Sequence, residues 1–340
     1  MGGAVGINIV QFPSPLSLLP DLITHADWST QPNKRWIATA VLQTDGSYLA
    51  LAPKPVKEPG TLLQRLRAAA GVQGTILSGF DFPIGLPLRY ARACGIGDFL
   101  DVIPQLGLGE WADFYNVAEQ PQQVNLRRPF YPLRPGNARQ IHLLKSLGMQ
   151  EIDNLRRRCE LPHAGRRAAA PLFWTMGAQQ VGKAAICGWR DMLGPALREP
   201  LPGITIWPFS GQLVELLQPG QTVIAETYPA EFYQHLGVKF DRRQGVHLGT
   251  LGGKRSQEAR IGNSEKLRNW QALAQVRLSP KLEASIHDGF GSATDGEDRF
   301  DAVIGLFGML NVVRGRRETG EPEDGTIRRL EGWILGQSTV

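Results

Sequence analysis

Carboxylates at the ends of short apolar runs carry the clearest chemical signal in this sequence. Asp81 follows such a run within Thr75–Pro87, and Asp27 and Glu226 follow two similar runs. Short apolar runs bounded by turn residues are typical of buried strands, and ligands of open α/β sheets bind outside the carboxyl ends of strands. Asp81 therefore has two interpretations, a site residue or a turn cap of the kind that Asp commonly forms before proline and glycine.

A second acidic signal stands at the start of a helix near the C-terminus. Thr294 and Glu297 are spaced as a capping box, which predicts that a helix begins there. Asp298 and Asp301 are three residues apart and share one face of that helix. Acids in a first turn also complement the helix dipole, but Asp301 begins the apolar side, where a carboxylate is costly unless something pairs with it.

Carboxylates gathered from distant parts of a chain repel one another unless cations lie among them. Hard Mg²⁺ or Mn²⁺ prefers such oxygen ligands, and two ions about 3.5–4 Å apart would activate a water and stabilise the leaving oxygen of a phosphodiester. The six histidines show no metal-ligand spacing, and no Gly-x-Ser-x-Gly marks a nucleophile. The predicted catalytic residues are Asp27, Asp81, Glu226 and Asp301, with Asp298 as a further metal ligand.

Arginines concentrate in the middle of the chain, in a stretch rich in proline and glycine at about 88–219. Aromatic residues lie among the first clusters, and a basic groove with aromatic platforms is what single-stranded nucleic acid requires. The alternative is a solvated helix face with ordinary loops. The predicted substrate-binding residues are Arg127, Arg128, Arg156, Arg157, Lys183 and Lys254.

One partial phosphate-loop motif lies in the same stretch. Gly177–Lys183 reads GAQQVGK after a predicted strand at Leu172–Met176. A phosphate loop needs a Ser or Thr hydroxyl on Mg²⁺ after its lysine. Ala184 stands at that position, so we favour a structural or substrate-contacting role for Lys183.

The elements that must position these residues form an α/β pattern. Leu22–Asp27 predicts a first strand, and the two segments flanking Asp45-Gly46 predict a hairpin. A short amphipathic helix at Thr61–Ala70 precedes the strand that leads to Asp81. Further helices are predicted near Asn137–Ser146, Glu151–Glu160, Gln179–Met192, Ala230–Leu236 and Glu265–Val276.

Composition places few limits on function. The chain has 340 residues, of which 42% are hydrophobic and 20% charged, with a formal net charge of +5, which is ordinary for a globular protein. Three widely spaced cysteines fit neither a zinc pattern nor a disulfide framework, and no apolar stretch reaches the ~18 residues of a membrane helix. We expect a cytoplasmic protein with an N-terminal arm at 1–20, a single domain at 21–340, and no membrane partner.

Several segments together resemble a known family. They are GFDFPIGLP around Asp81, AETYPAEFY around Glu226, the stretch Lys254–Arg260, DRFDAVIGLF around Asp301 and the terminal EGWIL. In order and spacing they resemble the predicted nucleases catalogued as domain of unknown function 429, and the final acidic pair also resembles that of Holliday-junction resolvases. The resemblance implies a ribonuclease H-like fold, with a mixed central sheet flanked by helices and a long insertion at about 88–219, mostly helices and loops.

The resemblance also implies individual roles. Asp27 would be the metal ligand of the first strand, Asp81 the acid after the fourth strand and Glu226 the acid of a later strand. Asp301 would be the helix acid, with Asp298 beside it. The sequence departs from the family after Asp27, where Trp-Ser-Thr replaces the usual glycine-rich turn.

Three functions remain open at this point. The first is a metal-dependent nuclease or related phosphodiester hydrolase acting on nucleic acid through Mg²⁺ or Mn²⁺. The second is a non-catalytic member of the same fold that binds nucleic acid or protein. The third is an ATP-using phosphotransferase, suggested by Gly177–Lys183 and by the polar residues after Asp27. Convergence of the carboxylates would favour the first.

Overall fold

The computed structural model describes most of the chain, namely residues 16, 18–134, 136–163, 167–176, 181–199, 201–240 and 253–339. The predicted arm at 1–20 lies largely outside these ranges. Leu16 and Leu19 pack against the core, and the Leu16 N–H donates to Val313 O (3.3 Å). The described end of the arm is therefore attached to the body of the protein.

Within the described residues, seven strands form one mixed sheet flanked by helices, so the predicted α/β class is confirmed. The strands are β1 (Leu22–Asp27), β2 (Trp36–Leu42), β3 (Tyr48–Pro55), β4 (Ile76–Phe80), β5 (Ile204–Ile206), β6 (Thr222–Glu226) and β7 (Val276–Leu278). Their order in the sheet is β5-β6-β4-β1-β2-β3-β7. β1, β2 and β3 form an antiparallel meander. β4, β6 and β5 continue from β1 in parallel, and β7 is parallel to β3.

The described helices cover both faces of this sheet. They are α1 (Leu62–Ala70), α2 (Leu88–Ala93), α3 (Phe99–Val102), α4 (Gln140–Leu147), α5 (Val181–Gly188), α6 (Gly194–Arg198), α7 (Leu213–Leu216), α8 (Pro229–Phe232), α9 (Gln257–Ile261), α10 (Ser264–Ala274), α11 (Pro280–His287), α12 (Gly296–Val313) and α13 (Gly325–Leu330). A π-helical turn at Trp189–Leu193 joins α5 to α6. None of these helices is long and apolar enough to cross a membrane.

The meander follows from its turn and from its apolar pattern. Gly46 has a φ of +78° at the predicted hairpin turn, a conformation that glycine adopts without steric cost. The Ser47 N–H donates to Asp45 Oδ1 (3.0 Å) and closes the turn. β1 lies between β2 and β4, and all of its residues are buried, which explains why its sequence does not alternate.

The two faces of the sheet pack against different parts of the chain. Ala26 and Phe80 lie on the face that packs against the region predicted as an insertion, here the insertion face. Ile23 and Leu77 lie on the opposite face, packed against α12 and here the α12 face. Since paired residues of neighbouring strands share a face and successive residues alternate, register decides which side each strand-end residue occupies.

Several local predictions were wrong. The predicted helix Glu151–Glu160 is two 3₁₀ turns, because Arg156 and Arg157 adopt an extended backbone between them. The predicted strand Leu172–Met176 forms an isolated bridge at Trp174 instead of a strand. The Trp174 N–H donates to the carbonyl of Pro171 (2.9 Å), as in a turn.

Two short strands and one helix start were also missed. β5 lies inside the predicted insertion, and Val276, the first residue of β7, was predicted as the end of a helix. That helix, α10, stops because Gln275 adopts a left-handed conformation with φ +55°. The predicted capping box at Thr294 does not form: α12 begins at Gly296 without a side-chain cap, and Glu297 pairs with Lys254 instead (3.2 Å).

Candidate functional site

Asp27 and Asp81 lie side by side at the carboxyl ends of two parallel strands. Ala26 of β1 pairs with Phe80 of β4, and the Asp81 N–H donates to Ala26 O (3.0 Å). Adjacent strands are about 4.8 Å apart, so Asp27 and Asp81, which follow Ala26 and Phe80, are also neighbours. Because side chains alternate between faces, both carboxylates lie on the α12 face, opposite Ala26 and Phe80.

Helix α12 brings two more carboxylates to this edge, Asp298 and Asp301. His25 Nδ1 donates to Ala302 O (3.0 Å), which ties the helix to β1. Gly305 permits the close approach, because a Cβ at that position would lie 2.2 Å from the His25 ring. The contact holds Asp301, which is 3% exposed, over the strand ends.

The pKa values of the four carboxylates are all raised, first by burial and then by neighbouring negative charges. Burial, followed by the charges of Asp301 and Asp81, raises the pKa of Asp27 well above its usual range. Burial and then Asp301 raise the pKa of Asp81 to about 7. Burial is also the largest cause of the raised pKa values of Asp298, at about 6, and of Asp301. The charge of Asp301 contributes to the raised pKa of each of the other three acids, so the four predicted residues share one electrostatic environment.

Lys254 supplies a positive charge to this cluster. Its ammonium donates to Asp301 Oδ2 and forms an ion pair with Glu297 (3.2 Å), while Tyr233 donates to Asp301 Oδ1 (2.9 Å). Burial alone would lower the pKa of Lys254, but the carboxylates, Asp301 first, outweigh it and raise that pKa. Both oxygens of Asp301 are therefore engaged by cationic or neutral donors.

Glu226 lies on the opposite face of the sheet from the other acids, although its charge also raises the pKa of Asp81. It pairs in register with Phe80, so its side chain lies on the insertion face. Arg157 donates to both of its carboxylate oxygens (2.6 Å each), and the Ile84 N–H donates to Oε2 (2.6 Å). Burial raises the pKa of Glu226 although Arg157 opposes it. Glu226 borders the same cleft as the acids, but its carboxylate is committed to a buried ion pair.

Thr227 occupies the position on β6 that corresponds in register to Asp81, and sequence reasoning missed it. A Cβ on Gly79 would lie 2.8 Å from Thr227 Cγ2 and 2.4 Å from Met309 Sδ, which places the threonine on the α12 face. Thr227 is 1% exposed, and its hydroxyl has no hydrogen-bond partner among the described residues. Glu226 pairs with Phe80, so Asp81 lies one residue further along its strand than Glu226 does. This difference of one residue between the two acids was the signal that could have identified Thr227.

The six basic residues predicted to bind substrate fall into two groups, four arginines that do not line the cleft and two lysines that do. Arg127 pairs with Glu110 (2.6 Å), and Arg128 and Arg156 donate to backbone carbonyls (3.0 and 2.7 Å). Arg157 is 0% exposed. The described lining of the cleft includes none of these four arginines, whereas Lys183 and Lys254 do border it.

A cleft of about 810 Å³ opens over the carboxylates. Its border combines cations with aromatic side chains. The cations are Lys34, Lys183, Lys254 and Arg255, and the aromatic residues include Tyr228, Tyr233 and Phe240. Lys183 lies in the first turn of α5; the first four residues of the predicted motif Gly177–Lys183 lie outside the described residues.

The chemistry of the donor set fits a hard divalent cation. The acidic side chains of the cluster are carboxylates, the ligands that Mg²⁺ and Mn²⁺ prefer, and Asp298 Oδ2 is buried without a partner among the described residues. In the part of the chain that the structure describes, no group of three or more His, Cys, Asp or Glu side chains is arranged so that it could hold a metal ion. The two carboxylate oxygens of Asp301 contact Tyr233 and Lys254 instead.

Comparison of the chain with protein-family models, with curated proteins and with solved structures found no match.

Proposed function

We propose that the chain is a metal-dependent phosphodiester hydrolase of the ribonuclease H-like fold, acting on nucleic acid. The observation that carries the proposal is the meeting of Asp27, Asp81 and Asp301, from two strand ends and one helix, at the base of an open cleft. The placement of an antiparallel meander beside parallel strands supports the proposed fold.

This arrangement of carboxylates would support catalysis by a divalent cation. Mg²⁺ or Mn²⁺, when bound, activates a water and stabilises the leaving oxygen of a phosphodiester. Asp27, Asp81 and Asp298 would hold the cation together with Asp301. Tyr233 orients Asp301 through its hydrogen bond. Thr227 adds a buried hydroxyl on the same face, which can donate to a phosphate oxygen, and can donate to or accept from a bound water.

The cations around the cleft fit a polyanionic substrate. Lys34, Lys183 and Arg255 border the cleft with Lys254, and ammonium and guanidinium groups at such positions bind phosphate oxygens. We therefore assign phosphate contacts to the cleft border rather than to the arginines of the insertion. The three cysteines are free thiols, as is usual for proteins of a reducing compartment. We therefore propose a cytoplasmic location.

A second candidate is a binding protein that does not catalyse hydrolysis. The pairing of Lys254 with Asp301 and Glu297 favours it, because an internal ammonium can neutralise an acidic cluster without a metal. This candidate predicts nucleic-acid binding that is independent of divalent cations.

Hydrolysis assays separate the two candidates. The purified chain would be incubated with single- and double-stranded DNA and RNA, and with bis(p-nitrophenyl) phosphate, in Mg²⁺, Mn²⁺ or chelator. We expect cation-dependent cleavage of at least one substrate, reduced about 100-fold or more by Asp27→Asn or Asp81→Asn, since removal of even groups that support metal ligands costs about 10- to 100-fold.

Asp101→Asn is the matched control, because this exposed carboxylate lies on α3 and does not border the cleft. It should retain the parent rate. Cleavage that survives both active-site changes would point to a contaminating nuclease and contradict the proposal. Cation-independent binding without cleavage of any substrate would favour the second candidate.

A further inference from the structure

Lys254 occupies the position where a cation would neutralise the acidic cluster. Its ammonium contacts Asp301 and Glu297, and its charge also acts on Asp27 and Asp81. Lys254 thus acts on carboxylates that come from β1, from the end of β4 and from α12. Arg255, the next residue, pairs with Glu297 (3.3 Å) and has a side chain that is 82% exposed.

The geometry makes the ammonium and a divalent cation alternatives at Asp301. A carboxylate has two oxygens, and here Tyr233 takes one and Lys254 the other. A divalent ion at Oδ2 would stand beside the ammonium, and two cations at such a distance repel strongly in a partly buried site. A metal at Oδ2 therefore competes with the Lys254 ammonium for the same carboxylate oxygen.

Two buried polar atoms of the cluster form no hydrogen bond with the Lys254 ammonium. The Thr227 hydroxyl and Asp298 Oδ2 are both buried without a partner among the described residues, although both residues border the cleft. Buried polar atoms normally have partners. Lys254 satisfies neither of them, which leaves ligand positions for an additional cation with its water.

We infer that Lys254 is a built-in competitor of the metal, an ammonium that holds Asp301 in the metal-free protein and is displaced when Mg²⁺ or Mn²⁺ binds. The inference rests on the proposed function, because it concerns the regulation of the same site. It makes metal occupancy depend on the position of one side chain, whose neighbours Gly253 and Arg255 also line the cleft.

Calorimetric titration of chelator-treated protein with Mn²⁺ tests the competition directly. Lys254→Met removes the ammonium while keeping a long side chain, and we expect it to bind Mn²⁺ about tenfold or more tightly than the parent. Arg268→Gln is the matched control, because it removes a positive charge from an exposed position of α10 that does not border the cleft. Its affinity should stay within about threefold of the parent.

A second measurement on the unaltered chain covers the case in which Lys254→Met fails to fold. Acetylation of lysines by a water-soluble active ester would be followed by mass spectrometry with and without Mg²⁺, using exposed Lys145 as the internal reference. Displacement predicts that Mg²⁺ increases the labelling rate of Lys254 several-fold relative to Lys145.

The outcomes distinguish this inference from the proposed function. Equal or weaker Mn²⁺ binding by Lys254→Met, or labelling of Lys254 that Mg²⁺ leaves unchanged, overturns the competition while metal-dependent hydrolysis by the parent still stands. Absence of Mn²⁺ binding in parent and variant alike overturns both.

Discussion

Asp81→Asn should stabilise the metal-free protein near neutral pH. Asp81 has its pKa raised from 3.8 to about 7 by burial and by the charge of Asp301. Below pH ~4 the carboxyl is protonated in the folded and unfolded states, so it imposes no penalty. Between about 4 and 7 only the unfolded state ionises, and stability falls with rising pH. Above pH 7 the penalty is constant, with an upper limit of about 4 kcal/mol at 1.36 kcal/mol per pH unit.

Asparagine resembles the protonated acid in shape and carries no charge, so it should remove this penalty. We expect urea unfolding in chelator to give a gain of about 1–4 kcal/mol at pH 8 for Asp81→Asn. The gain should disappear near pH 4, because the parent is then neutral at Asp81 as well. Saturating Mg²⁺ at 100 times its Kd should stabilise the parent by about 2.7 kcal/mol and the variant much less.

The alternative assignment of Asp81 as a simple cap predicts the opposite sign. Loss of a cap costs about 0.5–2 kcal/mol, at every pH where the carboxylate is ionised and without any influence of metal. Asp101→Asn, the exposed control, should stay within about 0.5 kcal/mol of the parent. A destabilised Asp81→Asn variant that does not respond to Mg²⁺ would refute the shared acidic site.

Other predictions concern the packing that supports the site. Gly305→Ala should cost about 1–3 kcal/mol in urea unfolding, because its Cβ would lie 2.2 Å from a buried histidine ring; Gly97→Ala, with nothing within 4 Å of its Cβ, should be nearly neutral, and equal effects would contradict the close approach. Arg157→Met should cost about 3–5 kcal/mol, since it leaves Glu226 buried without its partner, and adding Glu226→Leu should recover part of that loss; a cost under about 1 kcal/mol would argue against the ion pair. Isothermal titration should detect no magnesium-dependent ATP binding in the parent, and binding abolished by Lys183→Ala would instead support a phosphate loop.

The central strands were predictable because their signals are local. The hairpin turn at Asp45-Gly46 and the apolar runs of β1, β4 and β6 lie within a few residues in the sequence. β5 and β7 contain three residues each, too few for a periodic pattern, and only pairing with β6 and β3 defines them as strands. The π-helical turn after α5 likewise has no local pattern that separates it from an α-helix.

The acidic cluster was predictable from strand ends and from a helix start, but the partners of its members were not. Glu226 and Asp81 occupy similar places in sequence, and only the register of β4 and β6 shows that Glu226 faces the other side of the sheet. Arg157, predicted on a binding surface, meets Glu226 across 69 residues, and Lys254 meets Asp301 across 47. Such pairings depend on tertiary packing, which residue type and spacing do not report.

The position of bound Mn²⁺ tests the central claim most directly. A crystal of the chain grown or soaked with Mn²⁺ would be measured at a wavelength where manganese scatters anomalously. The convergence of Asp27, Asp81, Asp298 and Asp301 predicts an anomalous peak within coordination distance of the carboxylates of Asp27 and Asp81, absent from crystals of Asp81→Asn. No peak at this edge of the sheet at saturating Mn²⁺, with the acidic cluster intact, would contradict the account.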